Sequence, residues 1–192
     1  MSARVQAGAD RRIMVCLDQS PSSAWAWSWA RDNIVQRGDT IVLATVACID
    51  EANLPDGTYY GDEMGVPGVF DQEAVQKERQ SAMELAEQFI NGQLSDCKEW
   101  GDRLGLHIEG RVYTQSGSVG ATIIHQIEQA DCPFSMVVCG SRGLGTIKRA
   151  MLSAIGLGST SDHLCHHLNV PVVVVRQGQG HEAPQQASDK SA

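Results

Sequence analysis

The sequence predicts an α/β fold: a five-stranded, open parallel sheet with helices on both of its faces. Mainly apolar runs at 40–47, 134–139 and 170–175 predict strands that are buried on both sides, and the last of them is rich in β-branched valine. Segments with helical spacing separate these runs, and strands alternating with helices are typical of a parallel sheet. A packed core is expected, since 42% of the 192 residues are hydrophobic and 20% are charged.

The first strand is predicted at 12–18, where an apolar run ends in Asp18. A helix should follow from Ser22 to about Gln36, because Ser20 is a good N-cap and Pro21 suits the first helical position.

Three tryptophans lie on this helix. Trp25 and Trp29 are four residues apart on one face, so they are expected to pack the helix on the sheet. Trp27 is expected to point elsewhere. An aromatic ligand site is the less favoured alternative.

The rest of the chain repeats the pattern. Residues 50–69 predict a long loop, because prolines and glycines interrupt the apolar pattern. Helical spacing then runs from 71 to 104, and Gly92 marks a place for this helix to bend or split. Further strands are predicted at 106–113, 134–139 and 170–175, and further helices at 119–130 and 161–168. We expect a domain over 12–176 between disordered tails at 1–11 and 177–192.

Charge and composition narrow the function. A net charge of -8 without a basic stripe argues against nucleic acid as a partner. The sequence contains neither a bilayer-spanning apolar run nor the apolar core of a signal peptide, so we expect a cytoplasmic protein without a membrane partner. The six cysteines form no CxxC pair, which favours reduced thiols over disulfides.

Two glycine turns provide the functional signal. The fourth strand runs into Gly140-Ser141-Arg142-Gly143, and a second turn, Gly158-Ser159-Thr160-Ser161, precedes a helix. Glycine lets a ligand approach the backbone closely, and free N–H groups at a turn or helix start attract phosphate. Asp18, Val46 and Gly140 end three parallel strands, where ligands bind in open sheets. The alternatives are that the glycines serve tight packing and that Asp18 only forms a turn.

These pieces resemble the universal stress protein family over about residues 12–176. The resemblance rests on the strands ending in Asp18 and Val46, the block GSRGLG from Gly140, and the closing segment GSTSDHLCHHLNVPVVVVR. The nucleotide-binding branch carries the pattern G-x2-G-x9-G-[ST], whose halves match Gly140 with Gly143 and Gly158 with Ser159. Fourteen residues separate the halves here, consistent with a five-residue insertion at 153–157. Either the insertion bulges outward or it displaces the second turn.

The resemblance implies a Rossmann-like fold of the adenine nucleotide α-hydrolase-like type that binds ATP or AMP, with Mg or Mn on the phosphates. It implies that Val46 and the backbone near Leu17 and Asp18 hold the base. It also implies a homodimer formed through the last strand, with Val172, Val173, Val174 and Val175. The nine residues expected to bind the nucleotide are Leu17, Asp18, Val46, Gly140, Arg142, Gly143, Gly158, Ser159 and Thr160.

Enzyme motifs are scarce. The sequence has no G-x-S-x-G, GK[ST] or H-E-x-x-H motif, so we expect a nucleotide-binding sensor or switch in the stress response rather than a fast catalyst. His163 and His167 have a spacing that can bind zinc, but without partner ligands a solvated helix flank is preferred. A nucleotide-free interaction scaffold and a slow ATPase remain the alternatives.

Overall fold

A computed structural model describes residues 11–48, 59–60, 69–70, 72–141 and 159–176. Five parallel strands form the main sheet, in the order β5-β2-β1-β6-β7. Two further strands pair as a short antiparallel ladder. The strands are β1 Arg12–Cys16, β2 Thr40–Ala47, β3 Tyr59–Tyr60, β4 Val69–Phe70, β5 His107–Thr114, β6 Met136–Gly140 and β7 Val172–Val175. The predicted five-stranded parallel sheet is confirmed.

In the described residues, four helices cover the two faces of the sheet. They are α1 Pro21–Asn33, α2 Gln72–Leu104, α3 Val119–Glu128 and α4 Ser159–His167. Helices α1 and α2 pack on one face, where Trp27 and Ile90 join a buried cluster with Val15 and Leu43. Helices α3 and α4 pack on the other face, and their side chains join a second cluster with Met14, Val42 and Val137. Alternate residues of each central strand enter opposite clusters, which explains why these strands are continuously apolar.

Local signals explain where two helices begin. The hydroxyl of Ser20 accepts a hydrogen bond from the Ser23 amide at 3.2 Å, and Pro21 is the first residue of α1. Ser118 caps α3 in the same way through the Ala121 amide at 3.1 Å. Each cap satisfies an N–H group that has no partner within the helix.

The described chain begins at Arg11, the last residue of the predicted tail. Arg11 donates from Nε to Asp39 at 2.9 Å, and its guanidinium also donates to the Ile34 carbonyl. Asp39 is 4% exposed, so this ion pair compensates a buried charge next to the start of β2. The rest of both predicted tails, and most of the predicted loop, lies outside the described residues.

Two predictions about helices were wrong. Trp27 does not point away from the core: it is the buried tryptophan of α1, at 4% exposure, while Trp25 and Trp29 pack against the same cluster only partly buried. Helix α2 is not split at Gly92, because it continues as one helix of 33 residues. A Cβ at Gly92 would meet nothing within 4 Å, so this glycine marks no close contact.

All six cysteines lie in the described residues, and none of them forms a disulfide. Among the described residues, no helix combines the length and the hydropathy that a membrane span requires.

Candidate functional site

The candidate site is the crevice at the carboxyl edge of the sheet between β1 and β6. Strand order reverses there, since β1 leads to β2 on one side while β6 leads to β7 on the other. Ligands of open α/β sheets bind at such a reversal because the connecting segments diverge and leave a gap. Leu17, Asp18, Val46 and Gly140 all lie at this edge, so four of the predicted site residues share it.

Asp18 is held in place by the turn that joins β1 to α1. Its Oδ1 accepts from the Ser20 amide at 3.0 Å and also from the Ser20 hydroxyl. Its own amide donates to Ser23 Oγ at 3.2 Å, and that hydroxyl donates to the Asp18 carbonyl. The turn-forming role considered for Asp18 is therefore present, and it also fixes the carboxylate at the mouth of the crevice.

Leu17 is the residue that directly follows β1. It is 5% exposed, and its amide donates to the Ala44 carbonyl at 2.7 Å. This bond continues the β1–β2 ladder one residue beyond β1. Because the amide is already used, Leu17 can offer a ligand its carbonyl group but not its N–H.

Gly140 has the packing role that was the alternative interpretation of this glycine from the sequence. A Cβ at this position would lie 2.7 Å from Oγ of Ser22, 2.8 Å from its carbonyl oxygen and 2.9 Å from its carbonyl carbon. These distances are shorter than real Cβ contacts allow, so only glycine permits the first turn of α1 to approach β6 this closely. The next residue, Ser141, is 7% exposed and donates its amide to the Val175 carbonyl at 3.0 Å.

Tyr113 lies at the carboxyl edge and was missed by the sequence analysis. It is paired in register with Val46, and both pack partly buried against the cluster on the α3 and α4 face. Burial is the main reason why the pKa of Tyr113 is raised, with Arg111 and Arg12 acting in the opposite sense. The feature of the sequence that could have indicated Tyr113 is the presence of an aromatic residue near the end of the third predicted strand.

Ser159 and Thr160 form the first turn of α4. This helix connects β6 to the parallel strand β7, so it starts at the carboxyl edge and runs back along the sheet. Ser159 is exposed and Thr160 is half-buried. The first N–H groups of a helix have no partner within it, which makes this turn a suitable place for an anion.

Helix α4 lies close to α3. A Cβ at Gly120 of α3 would come within 2.8 Å of the His163 ring, so glycine permits this close approach. The rings of His163 and His167 lie 4.1 Å apart, and His167 Nδ1 contacts the His163 carbonyl at 2.9 Å. Across the described part of the chain, no group of three or more His, Cys, Asp or Glu side chains has the geometry to hold a metal ion.

Three cysteines, Cys16, Cys48 and Cys139, lie near the carboxyl edge of the sheet. Burial raises the pKa of Cys16 well above its ordinary value, and Cys139 and Asp18 raise it further. Burial likewise raises the pKa of Cys139 to about 12, with a smaller contribution from Cys165. Cys48 follows β2, and its pKa is raised by burial and by Asp18. The sequence placed Cys16 and Cys139 in core strands but did not show that they are neighbours.

Three of the nine predicted site residues, Arg142, Gly143 and Gly158, lie outside the described residues, as does the insertion at 153–157. Two depressions in the described part of the chain lie beside α2 rather than in the crevice. One of about 20 Å³ adjoins Ala47, Arg79 and Thr114. The other, of about 340 Å³, lies between α2 and β5 around Gly110.

Comparison with known proteins gives a family match over nearly the whole domain. The model of the universal stress protein family matches residues 10–176. Universal stress protein PHOS32 of Arabidopsis thaliana is 31% identical over 183 residues, which cover 93% of this chain and 69% of the relative. PHOS34 of the same plant is 30% identical over 190 residues, covering 93% and 66%. A universal stress protein of Mycolicibacterium smegmatis is 29% identical over 171 residues, but the chain spans only half of it.

Solved structures share the fold at lower identity. The universal stress protein UspA from Lactobacillus plantarum is 16% identical, with a TM-score of 0.59, and the match covers 88% of this chain and 99% of that one. A universal stress protein family protein from Arabidopsis thaliana, solved with AMP bound, is 19% identical, with a TM-score of 0.54 and coverage of 88% and 93%. These likenesses concern the arrangement of strands and helices.

Proposed function

The chain belongs to the universal stress protein family, and on that premise we propose that it binds an adenine nucleotide, ATP or AMP, as a sensor or switch. The observation that carries the proposal is the convergence of Asp18, Val46, Gly140 and the start of α4 on one sheet edge, at the reversal of strand order. A relative with the same fold was solved with AMP bound, which supports the choice of ligand.

The base and ribose are assigned to the ends of β1 and β2. Val46 and Tyr113 present half-buried apolar surface beside each other, which suits the flat ring of a purine. The Leu17 carbonyl and the fixed Asp18 carboxylate are acceptors at the same edge, and they suit the amino group of the base and the ribose hydroxyls.

The phosphates are assigned to the start of α4 and to the glycine turns. Ser159 and Thr160 supply hydroxyl groups and helix N–H groups at the carboxyl edge. Gly143, Gly158 and Arg142 are proposed to complete the cradle on the strength of the sequence. Mg or Mn would accompany the phosphates, since their charge needs a counter-ion beside the acidic Asp18.

Replacing Ser159 and Thr160 together by alanine should weaken ATP binding by about thirtyfold, because two donors worth roughly 1 kcal/mol each are lost. Binding of adenosine, which has no phosphate, should stay unchanged. Isothermal titration calorimetry measures both ligands. The matched control is Ser118→Ala, which removes the cap of α3 instead. An equal loss for ATP and adenosine would place these residues away from the phosphates.

A cytoplasmic location is proposed because all six cysteines are free, as expected in a reducing compartment. Slow hydrolysis of ATP is compatible with such a site, since positioned phosphates and a metal ion suffice for it.

The second candidate is a nucleotide-free scaffold. It is favoured by the close approach of Ser22 to Gly140, because this approach requires a glycine at position 140 even when no ligand is bound. An absorbance peak near 260 nm released from the pure protein on denaturation would favour the sensor; its absence, together with no heat on titration with Mg-ATP, would favour the scaffold.

A homodimer through β7 is also proposed. Strand β7 is an edge of the sheet, and its four residues are all valine. The carbonyls of Pro171 and Val175 accept bonds from β6, so the intervening Val172 and Val174 direct their backbone groups to the open edge. Pairing with a second copy would satisfy these groups and shield the strand.

Val174→Pro should turn the dimer into a monomer while leaving the β6–β7 ladder in place, since only an outward-facing N–H is removed. Sedimentation velocity of the two proteins tests this, with circular dichroism to check that the fold is kept. The proposal fails if the unmodified chain sediments as a monomer or if the variant remains a dimer.

A further inference from the structure

Cys16 and Cys139 are neighbours at the reversal of strand order. The register of β1 and β6 pairs Met14 with Val137 and Val15 with Val138, and one further residue along each strand brings Cys16 opposite Cys139. Met14 and Val137 belong to the cluster on the α3 and α4 face, and side chains alternate between faces. The two thiols therefore lie side by side on this face, at the carboxyl edge.

We propose that Cys16 and Cys139 form a two-coordinate site for a thiophilic d10 cation, with Cu(I) as its physiological occupant. The argument rests on the placement of the two thiols and does not depend on nucleotide binding.

The spacing of the strands allows the two thiols to share one ion. Neighbouring strands lie about 4.8 Å apart, so cysteine side chains at paired positions on the same face can both reach an ion placed between them. A disulfide needs its Cβ atoms about 3.8 Å apart, roughly 1 Å closer than the strand spacing, so β1 and β6 would have to move. A cation shared by the two thiolates needs no such movement.

The surroundings of the thiols exclude other ions. Leu164 and Val137 are fully buried beside them and Ile123 is 3% exposed. The one carboxylate that acts on Cys16, that of Asp18, already accepts from Ser20, so the site does not offer the roughly six oxygen ligands that Mg or Ca takes. Zinc needs four ligands in a tetrahedron, and no group of three suitable side chains occurs among the described residues. Two soft thiolates in an apolar setting favour Cu(I).

Binding of the cation displaces the protons of the two thiols. One Cu(I) and two thiols give a dithiolate complex with a net charge of -1, and two protons pass to the solvent. Neither copper nor sulfur changes its oxidation state. Cys16 is only partly buried, so the ion can enter from the crevice.

The test is an anaerobic titration of the full chain with Cu(I) against a chromophoric chelator. The unmodified protein should hold one copper per chain, and Cys16→Ala and Cys139→Ala should each weaken it by about a hundredfold, the usual scale of gain from joining two ligands. Cys132→Ala is the matched control, because Cys132 is exposed and its carbonyl bonds Arg12 at the opposite end of β1. Unchanged affinity in the first two variants, or an equal loss in the control, overturns the proposal.

Two measurements on the unmodified chain decide the question even where an alanine variant fails to fold. The first is the proton count, in which two protons released per copper support the site and fewer overturn it. The second is X-ray absorption at the copper edge, where two collinear sulfur neighbours are expected. A third sulfur, as Cys165 would supply, refutes the two-coordinate assignment.

Discussion

Trp27→Ala is expected to lower the free energy of unfolding by about 3–5 kcal/mol, the usual cost of deleting a buried tryptophan. Trp27 is 4% exposed, and its ring meets that of Trp100 edge-on at 5.9 Å, which joins α1 to α2. Removing the ring opens a cavity where both helices meet the sheet.

Arg31 increases this cost. Its guanidinium carbon lies 4.9 Å from the centre of the Trp100 ring and 5.9 Å from that of Trp27. Its Nε is buried and finds no hydrogen-bond partner among the described residues, so the two rings are its compensation. Without Trp27, Arg31 keeps only its contact with Trp100.

The matched control is Trp25→Ala, because Trp25 lies on the same helix but is only partly buried. Its expected cost is about 1–2 kcal/mol, in proportion to the smaller apolar area that it removes from water. Urea unfolding followed by circular dichroism measures both variants without relying on tryptophan fluorescence. Equal costs for the two tryptophans would show that Trp27 is not the anchor of α1.

Gly140→Ala is expected to destabilise the fold by about 2 kcal/mol or more, the range of overpacking in a rigid site. The new Cβ would lie 2.8 Å from the Ser22 carbonyl oxygen, and a backbone atom in the first turn of α1 cannot rotate away as a side chain can. Either β6 or α1 must shift, and the geometry of the crevice would shift with it.

Gly92→Ala is the matched control for this substitution. It lies inside α2 with nothing within 4 Å of the added Cβ, and alanine should stabilise the helix by about 0.5–1 kcal/mol. Thermal unfolding of the nucleotide-free variants gives opposite signs if the contact with Ser22 is real. A neutral Gly140→Ala would mean that this glycine serves the ligand alone.

The sequence was sufficient to predict the sheet. Strand β2 was predicted with its observed bounds, because a continuous apolar run between a glycine and a polar stretch has few other interpretations. Family membership, predicted from the two glycine turns and the strand ends, is confirmed as well.

The tryptophans show where sequence reasoning failed. The buried face of α1 consists of Ser23, Ala26, Trp27 and Ala30, which follow helical spacing. Three of these four are small residues with little hydrophobic signal, so the two larger tryptophans defined the wrong face. Small residues are buried there because α1 approaches the sheet closely, which is a tertiary property.

The candidate site was predictable in part. Strand ends can be recognised in a sequence, so Asp18, Val46 and Gly140 were placed on the correct edge. The contact of Gly140 with Ser22 and the pairing of Cys16 with Cys139 depend on which strands become neighbours and in what register. Residues far apart in the chain carry no local signal of such contacts.

The two edges of the sheet differ in a way that limits assembly. At the outer edge opposite β7, strand β5 carries the exposed His107 and Arg111 together with Glu109, whose carboxylate binds Arg111 and Arg12. Charged side chains on an edge discourage further strands from adding to it. Pairing about a twofold axis at the valine edge would therefore give a closed dimer with one continuous ten-stranded sheet. Both outer strands of that sheet would be the charged β5, so neither end would favour the addition of further copies into a filament.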